Sequence, residues 1–306
     1  MARTNFQVIT GTYVGDGTDS RNISGVGFRP DLIIIKGGTN VTVWRNSANK
    51  GDVTLYLGAA TTSLADAIQE ILADGFQLGT NAVVNEAGTT FYYICMRGTA
   101  GQNYYRVGAY SGTGADDRNF TSGGLNFTPD IVWVKRLISD IPVLRTSSQA
   151  GDTSAHFTGI ADTSDEIQNL QANGFQLGTS TRVNSATNNF YYFAAFKALA
   201  GVIAVGTYTG DATDNRAITG VGFQPNIVIV KNGSAANAAV LRTSDFVGDS
   251  SAVFSGTAPV ANQIQSFDAD GFTVGTAANV NQNGSTFWWI AFKSGNHNVP
   301  ITRTLG

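Results

Sequence analysis

The sequence predicts an all-β protein built as three tandem β-sandwich domains of about 95–100 residues each. Three observations carry this. First, the stretch Phe28-Arg29-Pro30-Asp31-Leu32-Ile33-Ile34-Ile35-Lys36 recurs as Phe127-Thr128-Pro129-Asp130-Ile131-Val132-Trp133-Val134-Lys135 and again as Phe223-Gln224-Pro225-Asn226-Ile227-Val228-Ile229-Val230-Lys231. Second, Tyr13, Tyr110 and Tyr208 open equivalent segments, a period of 97 and then 98 residues. That period suits an autonomous small domain rather than a solenoid repeat, so the units are expected as beads. Third, only 13% of the 306 residues are charged while glycine reaches 36. Small polar side chains between tight turns are the profile of β-rich chains.

The Phe-x-Pro stretch combines a rigid turn with four apolar residues and reads as a strand buried on both faces. Around it the first unit follows in order. Phe6 to Val14 is a strand, Asp16-Gly17-Thr18-Asp19 turns, and Asn22-Ile23-Ser24 forms a short edge. Val41 to Arg45 alternates and suits a half-buried strand, followed by another from Asp52 to Leu57. Ala65 to Leu72 has Ile68, Ile71 and Leu72 at helical spacing, which reads as a short helical turn or a strand. Asp74-Gly75 turns into Phe76-Gln77-Leu78, Val83-Val84 precedes a turn at Gly88, and Phe91 to Met96 closes the unit as a central strand. Phe190 to Phe196 and Phe287 to Phe292 close the other two. Seven or eight short strands per hundred residues indicate a sandwich of jelly-roll or lectin-like type. The domains are residues 1–98, 99–197 and 198–295, with a tail, 296–306, outside the repeat. The linkers, Thr99 to Asn103 and Ala198 to Gly201, are short, so neighbouring domains must touch or sit at a nearly fixed angle.

The repeats act as an internal alignment. Gly75, Gly174 and Gly271, with Gly79, Gly178 and Gly275, read as turn glycines of positive φ, the first set following an Asx as in a two-residue hairpin. An Asp-x-Arg recurs as Asp19 and Arg21, Asp116 and Arg118, and Asp214 and Arg216. A Gly-Asp recurs at Asp52, Asp152 and Asp249, an arginine at Arg45, Arg145 and Arg242, and an asparagine at Asn85, Asn184 and Asn281. Ile-Gln recurs at Gln69, Gln168 and Gln265. Turn-forming Asx groups and loop-tying Arg–Asp pairs account for these positions. The alternative is three equivalent ligand sites, in which the Asp-x-Arg and Gly-Asp carboxylates would hold a sugar or Ca²⁺. No loop has the dense acidic spacing of a calcium-binding hand, and no cofactor is implied.

Aromatic platforms for sugar stacking would come from Trp44, Trp133, Trp288 or Trp289, all on strands, where core positions are the norm. Trp44 stands where the other units carry Leu144 and Leu241, and Cys95 where they carry Ala194 and Ala291, so both read as core. Catalysis finds little support. His156 and His297 are not repeated and read as surface or turn residues, and Glu70, Glu86 and Glu166 are not shared by all units. Nucleophile-elbow, phosphate-loop and zinc motifs are absent from the sequence. A net charge of −3 gives no general attraction to nucleic acid or anionic membrane. The N-terminus lacks the apolar run of a signal peptide and no apolar segment approaches bilayer-spanning length, which reads as a soluble protein made in the cytosol.

The series G-x-Y-x-G, D-x-R, Gly-Val-Gly-Phe-x-Pro-Asx-apolar₄-Lys, Gly-Asp, Asp-Gly-Phe-x-Leu/Val-Gly and a closing aromatic strand with Phe-Lys resembles a lectin-like or jelly-roll module of bacteriophage virion structural proteins. The resemblance covers nearly the whole chain. It implies a non-enzymatic virion-surface component, a tail fibre or appendage or a capsid decoration protein. Its partners would be other capsid or tail proteins, a host-surface glycan, or further copies of itself. A carbohydrate-binding module array is the alternative, and a glycan-degrading enzyme ranks below both. The loops after the core strand, 37–40, 136–141 and 232–237, differ most between units and are where distinct binding would reside.

Overall fold

The structure, a computed structural model, describes residues 3–99, 103–187 and 189–300. It is all-β, and each unit is a two-layer sandwich. In the first unit the strands are β1 (Arg3–Val14), β2 (Arg21–Ser24), β3 (Leu32–Gly37), β4 (Val43–Asn46), β5 (Leu55–Tyr56), β6 (Ile68–Leu72), β7 (Gly75–Leu78) and β8 (Thr90–Gly98). Strands β1, β8, β3, β4 and β5 make one antiparallel sheet, and β2, β7 and β6 the other. The second unit repeats this from β9 (Tyr105–Ser111) to β16 (Phe190–Phe196), the third from β17 (Ile203–Thr209) to β24 (Thr286–Phe292).

The recurring motif sits at the centre of each large sheet, between the closing strand and its hairpin partner. Every residue of β3 is buried, as a two-faced apolar strand requires. Its alternate side chains go to different cores. Ile33 and Ile35 pack into the unit's own sandwich with Phe76 and Phe91, while Leu32 and Ile34 face the opposite way. There they meet Ile131 and Trp133 of the second unit and Ile227 and Ile229 of the third in one cluster shared by all three. The units are therefore not beads. Each large sheet is covered by its own small sheet on one face and by the other two large sheets on the other. This explains why β4 is wholly buried rather than half-buried. Trp44, read as core from its match to Leu144 and Leu241, lies in the shared core at 0% exposure.

The other residues of the motif also have assignable roles. Phe28 fills its unit's sandwich. The Asx side chain accepts an N–H at or just past the end of the closing strand: Gly98 to Asp31 at 3.0 Å, Ala198 to Asp130 at 2.7 Å and Ser294 to Asn226 at 3.0 Å.

Several local expectations change. Ile68 to Leu72 is a strand, with a register shift between Ile68 and Glu70 that accounts for its irregular spacing. Val83-Val84 lies in a helical turn, α1 (Ala82–Asn85), repeated as α2 (Thr181–Asn184) and α3 (Ala278–Asn281). Gly75 follows the two-residue turn rather than occupying it. Its φ of +143° and a Cβ position only 1.9 Å from the Ile23 carbonyl oxygen exclude side chains. Gly79 has no positive φ; a Cβ there would collide with Asp66, at 2.1 Å from Oδ1 and 2.5 Å from the backbone oxygen. The register aligns Cys95 with Ala195, one residue beyond the Ala194 expected, and keeps it in the core. The tail is partly structured: β25 (Gly295–Pro300) pairs antiparallel with β1 and makes the first sheet six-stranded. Residues 301–306 lie outside the described residues.

Candidate functional site

The repeated polar groups are engaged within the fold. Asp19 does not pair with Arg21. Its carboxylate accepts from Gln69 Nε2 at 2.9 Å, and the same bond joins Gln168 to Asp116 and Gln265 to Asp214, each at 2.9 Å. Arg21, Arg118 and Arg216 instead donate to the carbonyls of Val14, Ser111 and Thr209 and to Oδ1 of Asn85, Asn184 and Asn281. The arginine's ion pair is with Asp16 or Asp211, at 3.2 Å in both cases, and the second unit has Thr113 at that position. Hydrogen bonds from Thr18 hold Asp16 below the usual carboxylate range, and Thr213 does the same for Asp211. The asparagines are fully buried; Asn85 and Asn184 also donate to two carbonyls each, as Asn85 does to Thr18 and Gly79 at 2.9 Å, and Asn281 donates to that of Thr213 at 2.7 Å.

Asp152 accepts from the Asp165 backbone N–H at 3.1 Å and Asp249 from that of Asn262 at 3.0 Å; Asp52 does the same for Asp66 at 2.6 Å. Arg45, Arg145 and Arg242 each donate to carbonyls of the following loop and of the small sheet. These internal hydrogen bonds give each repeated carboxylate and guanidinium a role in tying its own loops together. Among the described residues, no group of three or more His, Cys, Asp or Glu side chains is placed to hold a metal ion.

His156 departs from its expected surface position. It is completely buried, with Nε2 2.8 Å from Glu166 Oε2, while Arg182 Nη1 donates to Glu166 Oε1 at 2.8 Å. Burial works against ionisation of Glu166, but the His156 and Arg182 contacts outweigh it and hold its pKa below the usual value. This cluster is confined to the second unit, because Tyr56 and Val253 occupy the equivalent place in the others.

The chemistry that recurs between units lies at their junctions, which sequence reasoning missed. Lys36, Lys135 and Lys231, which close the motif, are fully buried. Lys36 Nζ donates within its loop to Gly38 at 3.1 Å and across to the Thr257 carbonyl of the third unit at 2.8 Å. Lys135 reaches Thr61 of the first unit at 3.2 Å. Lys231 lies in the field of Asp162 of the second, whose backbone N–H donates to Gly233 at 2.8 Å. Each lysine thus leans on the preceding unit, and the three contacts close a ring. Burial lowers all three lysine pKa values to about 8.

One position per closing strand faces this ring: Tyr92, Tyr192 and Trp288, each paired with the motif lysine. Phe246 of the third unit stacks on Tyr92. Trp288 Nε1 donates to Asp162 Oδ2 at 2.7 Å, and Gln149 Nε2 reaches the same oxygen at 3.2 Å. Trp289 points the other way, into its own sandwich. At Tyr192 the neighbouring loop leaves a cleft of about 520 Å³ between the first and second units, lined by Ala48, Val53, Leu137, Phe190 and Tyr192 with Lys50 at its side. Phe190 is 53% exposed. The variable loop 136–141 contributes Leu137 to this cleft, so one of the three loops singled out from sequence does border an opening.

Residues 200–304 match a family described as a domain of unknown function (DUF7483), a span covering the third repeat and most of the tail. No curated protein matches the chain.

Proposed function

We propose that this chain is a non-enzymatic structural component of a bacteriophage virion surface, a tail appendage or a capsid decoration protein. The observation that carries the reading is the shared core, in which Leu32, Ile131 and Ile227 and their neighbours lock three repeats into one body. A ring closed by equivalent head-to-tail contacts presents similar loops in three directions, which suits attachment where subunits of a larger assembly meet in threefold arrangement. The internal engagement of the repeated carboxylates and arginines supports a scaffold over an enzyme. The sequence resemblance points the same way and makes other capsid or tail proteins the partners, with host-surface glycans a further contact.

Immunogold labelling of purified virions tests this. Labelling of the head at fixed high copy number supports decoration, and labelling confined to the tail supports an appendage. Virions that carry no label with antibodies that recognise the purified chain reject the proposal.

A further inference from the structure

We propose that the cleft between the first and second units is a docking site for an aromatic side chain, with an acidic neighbour, presented by another protein chain. The inference rests on comparing three junctions built from equivalent positions, and it does not depend on the virion reading.

Ala48, Val53, Leu137 and Phe190 make the cleft apolar. The third-to-first junction carries Asp245, Ser250, Gly38 and Thr90 at the same positions, and the second-to-third carries Ser148, Thr153, Gly233 and Thr286. Four substitutions toward larger or less polar side chains converge on one opening. Phe190 is the clearest, since a half-exposed phenylalanine stands where the other units have threonine. Fold maintenance does not require it, because the same sheet position folds with threonine twice in this chain.

The chain itself supplies the chemistry of the occupant. At the third-to-first junction Phe246 lies on Tyr92 with ring centroids 3.8 Å apart and 10° between planes. Asn49 holds the equivalent place in the first unit. It folds back to accept from the Asn46 N–H at 3.1 Å and so leaves the space beside Tyr192 open. At that junction the equivalent space is filled by an aromatic ring from a loop, preceded by an aspartate, Asp245. Lys50 supplies the matching charge: it is exposed, it makes no ion pair among the described residues, and the other units have Ala150 and Val247 there. A sugar is a poorer fit, because its hydroxyls would face a mostly apolar lining.

The probe is a cyclic peptide copying Ser244 to Gly248, with a fluorinated phenylalanine read by ¹⁹F NMR against the full chain. The expected result is saturable binding. Replacing the peptide's phenylalanine by alanine should weaken it at least about tenfold, as loss of an anchoring ring does. Phe190→Thr, which installs the residue of the other units, should weaken it several-fold, and Asn49→Phe should abolish it by filling the cleft from within. Lys50→Val should reduce both affinity and its salt dependence. The proposal is overturned if the peptide does not bind, if the alanine peptide binds equally, or if Phe190→Thr leaves affinity unchanged. Equal binding of free p-cresol would make the cleft a small-molecule pocket and overturn the assignment to a partner chain.

Discussion

Phe246 and Tyr92 come from the third and first units, and their rings stack face to face across the junction between them. Phe246 is 5% exposed although it sits in a loop. A loop residue becomes core only because the ring of units closes over it. Phe246→Ala should therefore destabilise the protein by about 3–4 kcal/mol, near the lower end for buried phenylalanine. Chemical denaturation should show a lower midpoint with a single transition, since the shared core couples the units. A separate early transition of the first or third unit would contradict that coupling.

Lys36 and Lys135 give up hydration to hold carbonyls of two units. Lys135→Met should cost about 1–3 kcal/mol, because the carbonyls of Thr61, Arg136 and Ile138 lose their donor. Relief of the charge's burial offsets part of the loss. Thermal unfolding of the variant measures the net effect, and an unchanged midpoint would show that the lysine does not secure the junction.

The lysines also set a pH signature. Their folded pKa of about 8 lies below the ordinary 10.5, so between these values the unfolded chain binds more protons. Their contribution to stability is fully present above 10.5 and is lost as pH falls through about 8. Comparing denaturation midpoints of wild type and Lys135→Met across this window isolates one share. The difference between the two should widen as pH rises from 8 toward 10.5, and a constant difference would refute the assignment.

Glu166 acts at the other end of the scale. Its folded pKa is lowered, so the stability it supplies is present above the unfolded value and is lost as pH falls through the folded one. Glu166→Gln keeps the shape but removes the charge that Arg182 faces at 2.8 Å. It should destabilise at neutral pH and make unfolding less acid-dependent below the ordinary glutamate range. Guanidinium titrations at several acidic pH values would read this; an acid limb of unchanged slope would exclude Glu166 as a contributor.

A single unit should not stand alone as a monomer. Residues 1–99 would expose Phe6, Val8, Leu32, Ile34, Trp44, Ile94 and Met96, which the other units cover. Sedimentation velocity of this fragment should show self-association or an unfolded chain. A well-folded monomer would mean the shared core is dispensable.

Residue patterns fixed much of this at the level of single units. The Phe-x-Pro-Asx run with its four apolar residues specified a strand buried on both faces, and the three-fold recurrence specified three equivalent sandwiches. Both follow from local rules: proline restricts φ, and a strand apolar on successive residues must bury both faces. The sequence alone was silent on what covers the second face. Leu32 and Ile33 look alike in the sequence, yet one enters the shared core and the other its own sandwich. Lys36 read as the end of a strand, and only the neighbouring unit makes it a junction residue. Phe190 read as the start of a closing strand, and only its position opposite Ala48 and Val53 turns it into the rim of a cleft. Periodicity records which side chains avoid water. Which partner excludes the water is decided by contacts between residues of different units, and those exist only once the ring has closed.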